Sequence, residues 1–464
     1  MRNNNIVMKK ILYVTIFLLG FFYLKAQHRS EISMENKLFG ASTFWNEVNQ
    51  NFVYLDKLDY SKLETDYKQL LKYILETQND YEYYRLLEKF CATLKDGHTN
   101  VYPPDYIGEN FGYQSFGTIE FRLKNIENKT IIYRINESTK NELPIGTEIL
   151  KINDLDIKEY KEKYIKPYIS YSTDYILENW AVNDLFYAPY GTKYKVEFLL
   201  PNQKKVIKEL VLQKSTDEKL VPENKSFQLL EHKWLENNTL YIALNSFNTT
   251  VIVDAFKEIV PELSKAKFFI IDLRNNGGGN SGNAFQILQY FTKDQKLNYA
   301  KMSSRKNIAA FKAWGKYVTE KDTLNNTSKK EQYLTFNNRN YYEFPKNEFK
   351  TDKDIPRFVK PTVVLISNNT ASAAEDFLVA ADNQKHFIKI GEPTFGSTGQ
   401  PIHFDLPNGG EARVCTKKDT YPDGREFVGV GILPDIEVKQ TIADFLNEKD
   451  IALEKALKYL EQRK

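Results

Sequence analysis

The chain has 464 residues, 42% of them hydrophobic and 14% aromatic, which is enough apolar material for a sizeable core. Lys and Arg number 64 against 61 acids, a formal charge of +3, so there is no electrostatic case for nucleic acid or for an anionic surface. Two cysteines, five histidines and no His-Glu-x-x-His signature argue against a metal site.

Residues 1–26 read as a signal peptide. Arg2, Lys9 and Lys10 form a basic start, Ile11 to Leu24 is an uncharged apolar run shorter than a membrane span, and Ala26 supplies the small residue before a cut. An uncleaved anchor is the other reading. The leader carries four cations and no acids, so without it the net charge is −1. Residues 27–105 read as a helical cap. Phe44, Trp45, Val48, Phe52 and Leu55 recur at helical spacing, as do Leu70, Leu71, Ile74 and Leu75, and then Tyr83, Leu86, Leu87 and Phe90. The segment ends in Asp96-Gly97-His98-Thr99.

Residues 106–218 change character. Ile119 to Leu123 and Thr130 to Ile135 alternate like strands, Tyr194 to Leu200 and Val206 to Leu212 read as a hairpin, and a Tyr-rich helical stretch occupies 157–188. The run Gly146-Thr147-Glu148-Ile149-Leu150-Lys151-Ile152-Asn153-Asp154 resembles that of a PDZ domain, which implies a PDZ-like domain with a helical insertion. A structural β domain that binds nothing is the alternative. Residues 219–464 read as an α/β unit with strands at 239–245, 268–273, 362–367, 387–391 and 428–430, helices at 251–264, 281–291 and 372–382, and a surface loop or flap over 316–358.

Two segments of this unit carry chemistry. Phe268 to Asp272 runs into Leu273-Arg274-Asn275-Asn276-Gly277-Gly278-Gly279, a strand followed by bare backbone amides. No Gly-Lys-Ser/Thr follows the glycines, and Gly-x-Gly-x-x-Gly spacing is absent, which leaves an oxyanion hole as the better fit. Val363 to Ile366 runs into Thr370-Ala371-Ser372-Ala373-Ala374-Glu375, a serine among small residues at a helix start. A nucleophile and a place for the oxyanion together point to a serine hydrolase. A helix-capping serine is the alternative for Ser372. Among the histidines, His28, His232 and His386 lie in connectors or turns, His403 lies in a strand-like run, and His98 follows Asp96-Gly97. Cys91 and Cys415 could pair only if the fold brings them together, and two buried thiols are equally consistent with the sequence.

The order of these motifs resembles that of the carboxyl-terminal processing peptidases and their tricorn-type relatives. The resemblance rests on residues 272–279 and 370–375, Gly391-Glu392-Pro393-Thr394-Phe395-Gly396, Gly429-Val430-Gly431-Ile432-Leu433-Pro434-Asp435-Ile436, the PDZ-like run and the helical cap. It implies an α/β fold with a ClpP/crotonase-like layered catalytic core, an N-terminal helical cap and an inserted PDZ-like β domain. The processing branch carries a basic lysine after its Phe-Gly, where this chain has Ser397; the Ser-Lys dyad is therefore absent. The tricorn branch uses Ser and His backed by an acid, which implies Ser372 as nucleophile and His98 as general base near its ordinary pKa. Glu426 is then the acid, with Asp423 as the alternative, and the amides of Gly278 and Ala373 hold the oxyanion, Gly277 being the alternative to Gly278. That branch places a serine directly before its His; here Gly97 stands there, so the helper is missing or comes from elsewhere. The function implied is a secreted or periplasmic serine endopeptidase acting on unfolded or C-terminal peptide segments, with a polypeptide partner, no nucleic acid, no cofactor and no metal. The alternatives are a lipophilic-ligand or peptide-binding protein on the same fold, or an acyl-CoA enzyme, which an export signal disfavours.

Overall fold

The computed structural model describes residues 31–463 apart from 217, 225, 346 and 347, so the expected leader lies outside the described residues. Three helices open it: α1 (Met34–Asn51), α2 (Tyr60–Ile74) and α3 (Asp80–Ala92). Side chains of Ser33, Asp59 and Asn79 accept first-turn amides at their N-termini, as capping residues do. The apolar stripes read from the sequence face inward: Phe44 and Val48, then Leu70 and Ile74, then Tyr83, Leu87 and Phe90 are buried. These helices do not close on a core of their own. They share one continuous apolar cluster with the α/β unit. Gly410 allows this contact, since a Cβ there would lie 2.1 Å from the Tyr84 hydroxyl.

Strand β1 (Asn100–Tyr102) leaves the helices for a small sheet described below. The next region is antiparallel: β2 (Ile119–Ile126), β3 (Lys129–Asn136), β4 (Glu148–Ile152), then α4 (Ile157–Tyr164) and α5 (Asp174–Asn183), then the hairpin β5 (Lys193–Leu199) and β6 (Lys205–Val211). Its core is separate and is built from alternating residues such as Phe121, Ile132, Ile149, Val196 and Phe198.

The α/β unit holds a six-stranded sheet in the order β7 (Leu230–Leu235), β8 (Thr239–Leu244), β9 (Phe268–Asp272), β10 (Thr362–Ile366), β11 (Phe387–Gly391) and β14 (Ile436–Glu437). Only β7 is antiparallel to its neighbour. Every residue of β9 and β10 is buried, because both faces of the sheet are covered. Phe269, Ile271, Val364 and Ile366 face the large cluster shared with α6 (Val251–Leu263), α7 (Ser281–Leu288) and α8 (Ala373–Ala380). Phe268, Ile270, Val363 and Leu365 face α9 (Ile451–Glu461) through Ala452, Ala456 and Leu460. Strands β12 (Pro401–Leu406) and β13 (Gly410–Cys415) pair, and β13 also pairs with β1.

Two sequence expectations fail. Residues 428–430 form turns, not a strand; Gly429 and Gly431 adopt φ of +83° and +86°, which bends the chain away from extension. Residues 316–358 are not a plain loop. They contain a helix, Thr327–Phe336, and two short strands, Tyr341–Glu343 and Glu348–Lys350. That helix lacks an apolar stripe, so periodicity could not announce it. It is held by close approach to Ala309–Gly315, where a Cβ on Gly315 would sit 2.1 Å from the Gln332 carbonyl oxygen. Among the described residues no helix is long and apolar enough to cross a membrane.

Candidate active site

Strands β9 and β10 are parallel neighbours, so the turns leaving their C-terminal ends lie side by side, the usual place for a site in such sheets. Several bonds stitch these turns together. The Ser367 hydroxyl donates to Arg274 O at 2.7 Å, Thr370 Oγ1 to Leu273 O at 2.9 Å, and the Ala371 amide to Asn276 O at 3.0 Å. Arg274 points away: it forks onto Asp272 and Asp450, anchoring the turn to the start of α9.

Ser372 stands where β10 turns into α8, with φ 54° and ψ −119°. A non-glycine residue there stores about 1–3 kcal/mol of backbone strain. A sharp strand-to-helix turn of this kind is how hydrolases lift a nucleophile out of its sheet. Gly278, with φ +103°, lies directly against it. A Cβ on Gly278 would be 2.7 Å from Ser372 Cβ and 3.0 Å from the Ala373 nitrogen. The Ala373 amide, at the first position of α8, donates to no other described residue. The Gly278 amide differs from expectation: it donates to Asn276 Oδ1 at 2.9 Å and is not free.

Glu375 locks the turn from behind. It is fully buried; one carboxyl oxygen accepts the Ser372 amide at 3.1 Å, and the other accepts the Thr394 hydroxyl at 2.5 Å and the Gly396 amide at 2.9 Å. Burial pushes its carboxyl up to about 8. The Phe395 amide also donates to Thr370 O at 2.9 Å. The loop Thr394–Ser397 is thus fastened to the turn that bears Ser372.

His98 hangs on the same loop: its Nδ1 is 2.6 Å from Ser397 Oγ. Burial, with the Arg413 and Lys417 cations, pushes the imidazole down to about 4, not the ordinary value expected from sequence. It is neutral at pH 7 and weaker as a base. Ser397 is fully buried and occupies the space a side chain at residue 97 would need, since a Cβ on Gly97 would fall 3.2 Å from Ser397 Oγ and 2.8 Å from Phe395. The hydroxyl beside the histidine comes from residue 397 instead of residue 97. Asp96 is buried, accepts the Thr99 hydroxyl at 2.6 Å, and is pushed up to about 6 by its burial.

Glu426 is not behind His98. Its side chain is 44% exposed and pairs with Lys418 at 2.7 Å and Lys57 at 3.3 Å. Asp423 is also exposed and pairs with Arg425. Both acids sit in a polar loop where lysine and arginine partners are nearer than the buried imidazole. Cys91 and Cys415 are buried free thiols on either side of Thr99: Cys91 Sγ is 3.4 Å from Thr99 O, and the Cys415 amide donates to Thr99 Oγ1 at 3.0 Å. No group of His, Cys, Asp and Glu among the described residues could hold a metal ion.

The sequence reading overlooked Glu375 and the hydroxyl role of Ser397. Glu375 follows Ser372 at capping-box spacing, a legible signal. Nothing local to Ser397 marks it as a partner of a residue 299 positions away.

The segment linking the antiparallel domain to this site is Ser170 to Trp180. Ser172 Oγ accepts the Gly97 amide at 2.8 Å, Thr173 Oγ1 donates to Phe395 O at 3.3 Å, and the Trp180 ring lies 5.7 Å from that of Phe395. The Tyr175 hydroxyl donates to Thr394 O.

Comparison with known proteins finds relatives in sequence and in fold. Residues 238–438 match the model of peptidase family S41. The carboxyl-terminal-processing protease of Synechocystis is 25% identical over 210 residues, which are 44% of this chain and 39% of that protein. The carboxy-terminal processing protease CtpA of Bacillus subtilis is 26% identical over 213 residues, 45% of this chain and 36% of that one. The chain therefore spans well under half the length of these curated relatives. Over the whole fold, mature CPAF complexed with lactacystin superposes with a TM-score of 0.67 at 14% identity, covering 92% of this chain and 98% of that one. The turns bearing Gly278 and Ser372 both fall within residues 238–438, the segment that matches the model of that family.

Proposed function

We propose that the chain is a serine endopeptidase that hydrolyses unfolded or C-terminal peptide segments through an acyl-enzyme on Ser372. The observation that carries this reading is the strained Ser372 turn with Gly278 pressed against it and the Ala373 amide left without a partner. In this mechanism His98 Nε2 takes the Ser372 proton, and the Nδ1 contact with Ser397 Oγ, assigned as Nδ1–H donating, holds the ring in the place of the expected Glu426. The serine oxygen attacks the peptide carbonyl, and the developing oxyanion is met by the Ala373 amide. The Gly278 amide joins it only by releasing Asn276 Oδ1. His98 then protonates the leaving amine, and water releases the acyl group by the reverse sequence. The test is casein and peptide hydrolysis by the chain lacking 1–26, beside Ser372→Ala and His98→Ala. Loss in both supports the reading; full activity of either variant refutes its assigned role.

We also assign residues 1–26 to an export signal, 27–105 to a cap, 106–218 to a PDZ-like domain and 219–464 to a ClpP/crotonase-like core. The contacts of Ser172, Thr173, Tyr175 and Trp180 with the His98 and Phe395 loops support coupling of the PDZ-like domain to the site. Peptide bound through its C-terminus would then speed cleavage; equal rates on peptides with free and amidated C-termini would reject that. A second reading, a ligand-binding protein on the same fold, rests on a cavity of about 740 Å³ between the N-terminal helices and the antiparallel domain, lined by Tyr81, Tyr160, Tyr164, Tyr168 and Tyr187. Hydrolysis that disappears in Ser372→Ala rules it out as the sole function.

A further inference from the structure

A smaller cavity, about 300 Å³, lies between the N-terminal halves of α7 and α8, the helix that Ser372 precedes. It has room for one long side chain and not for a large ligand. Its inner wall is made by Ser281, the first residue of α7 and three positions after Gly278, and by Asp376, one helical turn beyond Ser372. Phe285, Tyr299 and Met302 supply an apolar sleeve, and Lys417 closes the far side.

The charges in this cavity do not balance. Lys417 Nζ is 3.0 Å from Asp419 Oδ2, and Glu348 at the rim is paired with Lys296. One cation, Lys417, therefore faces two carboxylates: it forms its ion pair with Asp419 and acts on Asp376 only from beyond ion-pair distance, while Asp376 Oδ2 accepts the Ser281 hydroxyl at 2.5 Å. Its Oδ1 is buried without a hydrogen-bond partner, in a residue only 8% exposed. Asp419 Oδ1 is likewise buried and unpartnered. Burial, then the neighbouring Asp419, raise the Asp376 carboxyl above its ordinary range against the opposing pull of Lys417 and the Ser281 hydroxyl. A buried carboxylate oxygen with no donor is costly, and a fold keeps one where a ligand supplies the donor.

We propose that this cavity is the specificity pocket of the site and receives a basic side chain, lysine or arginine, from the residue flanking the scissile bond, with Asp376 Oδ1 as acceptor. The apolar sleeve takes the methylene stem, and the cationic head completes the unpaired carboxylate. This rests on the peptidase reading. It names the substrate class: segments cut beside a basic residue.

The experiment is a set of fluorogenic peptides identical except for Arg, Lys, Leu or Glu on either side of the cleaved bond, assayed with wild type and Asp376→Asn. Expected is at least about 10-fold higher kcat/KM for Arg or Lys than for Glu at one of the two positions, and a loss of most of that ratio in Asp376→Asn. A flat or acid-preferring profile in a wild type that does cleave overturns the pocket assignment and leaves the peptidase reading intact. No cleavage of any member overturns both. Should Asp376→Asn not fold, wild type alone decides: agmatine, a guanidinium on a four-carbon stem, is expected to compete with the Leu peptide, and no competition overturns the assignment.

Discussion

The contact between Gly278 and Ser372 makes a sharp test, because two adjacent glycines differ in what a methyl group would meet. A Cβ on Gly278 would lie 2.7 Å from Ser372 Cβ, 2.8 Å from the Ala371 carbonyl oxygen and 3.0 Å from the Ala373 nitrogen, and the residue holds φ +103°. None of these neighbours is the end of a flexible side chain. Ordinary contact lies near 3.5–4 Å, so the Ser372 turn must retreat by about 1 Å. A displacement of that size costs on the order of 100-fold in rate by itself. Loss of the oxyanion geometry at Ala373 adds about 3 kcal/mol of barrier. Backbone strain and overpacking together lower stability by roughly 2–6 kcal/mol. Gly277 is exposed, and a Cβ there meets nothing within 4 Å. Gly278→Ala is therefore expected to lose at least about 100-fold in kcat/KM, while Gly277→Ala stays close to wild type. Thermal unfolding and active-site labelling with a fluorophosphonate separate misfolding from misplacement: a folded Gly278→Ala chain should label slowly. If Gly278→Ala cleaves peptides within about 3-fold of wild type, the turn is not the oxyanion site and the reasoning fails.

Ser397→Ala removes the hydroxyl that His98 Nδ1 pairs with and is expected to lower kcat/KM by about 10–100-fold with little change in KM; Ser397→Thr should restore most of it. The pH profile follows from the lowered imidazole. The acid limb of kcat/KM should fall near pH 4 and not near 6.5. A histidine depressed in the folded state stabilises fully above its unfolded value of about 6.5, and that stability is lost as pH drops through the window down to about 4, so urea midpoints should fall there and do so less in His98→Gln. Glu426→Gln, which breaks only exposed pairs with Lys57 and Lys418, should change activity by less than about 3-fold, and a 100-fold loss would return Glu426 to the site. Phe44→Ala should cost about 3–5 kcal/mol and lower the same unfolding transition that ends catalysis, because its helix shares the core of the sheet; a separate low-temperature transition with activity retained would refute the shared core.

The strands β9 and β10 and the helices after them were legible because burial on both faces writes a continuous apolar run, and because glycines or small residues mark the turns that follow. Ser372 and the glycine run belong to that local layer, as do the alternating strands of the antiparallel domain. The helix Thr327–Phe336 was illegible because it buries little and is held by a close backbone approach. The turns at 428–430 hid behind valines that are strand formers in isolation.

Chain order and residue type by themselves placed Ser372 at a strand-to-helix turn, the glycine run at the end of the neighbouring strand and His98 at the end of the helical segment, since each is a property of one short segment. Only the tertiary structure decided which partners they have. Ser397 reaches His98 across 299 positions, Glu375 ties the nucleophile turn to Thr394 and Gly396, Asn276 takes the Gly278 amide, and Glu426 goes to surface lysines. Hydrogen bonds and ion pairs of this kind depend on which burial the sheet and helices impose, and that is set by the packing of the whole chain and not by any window of it.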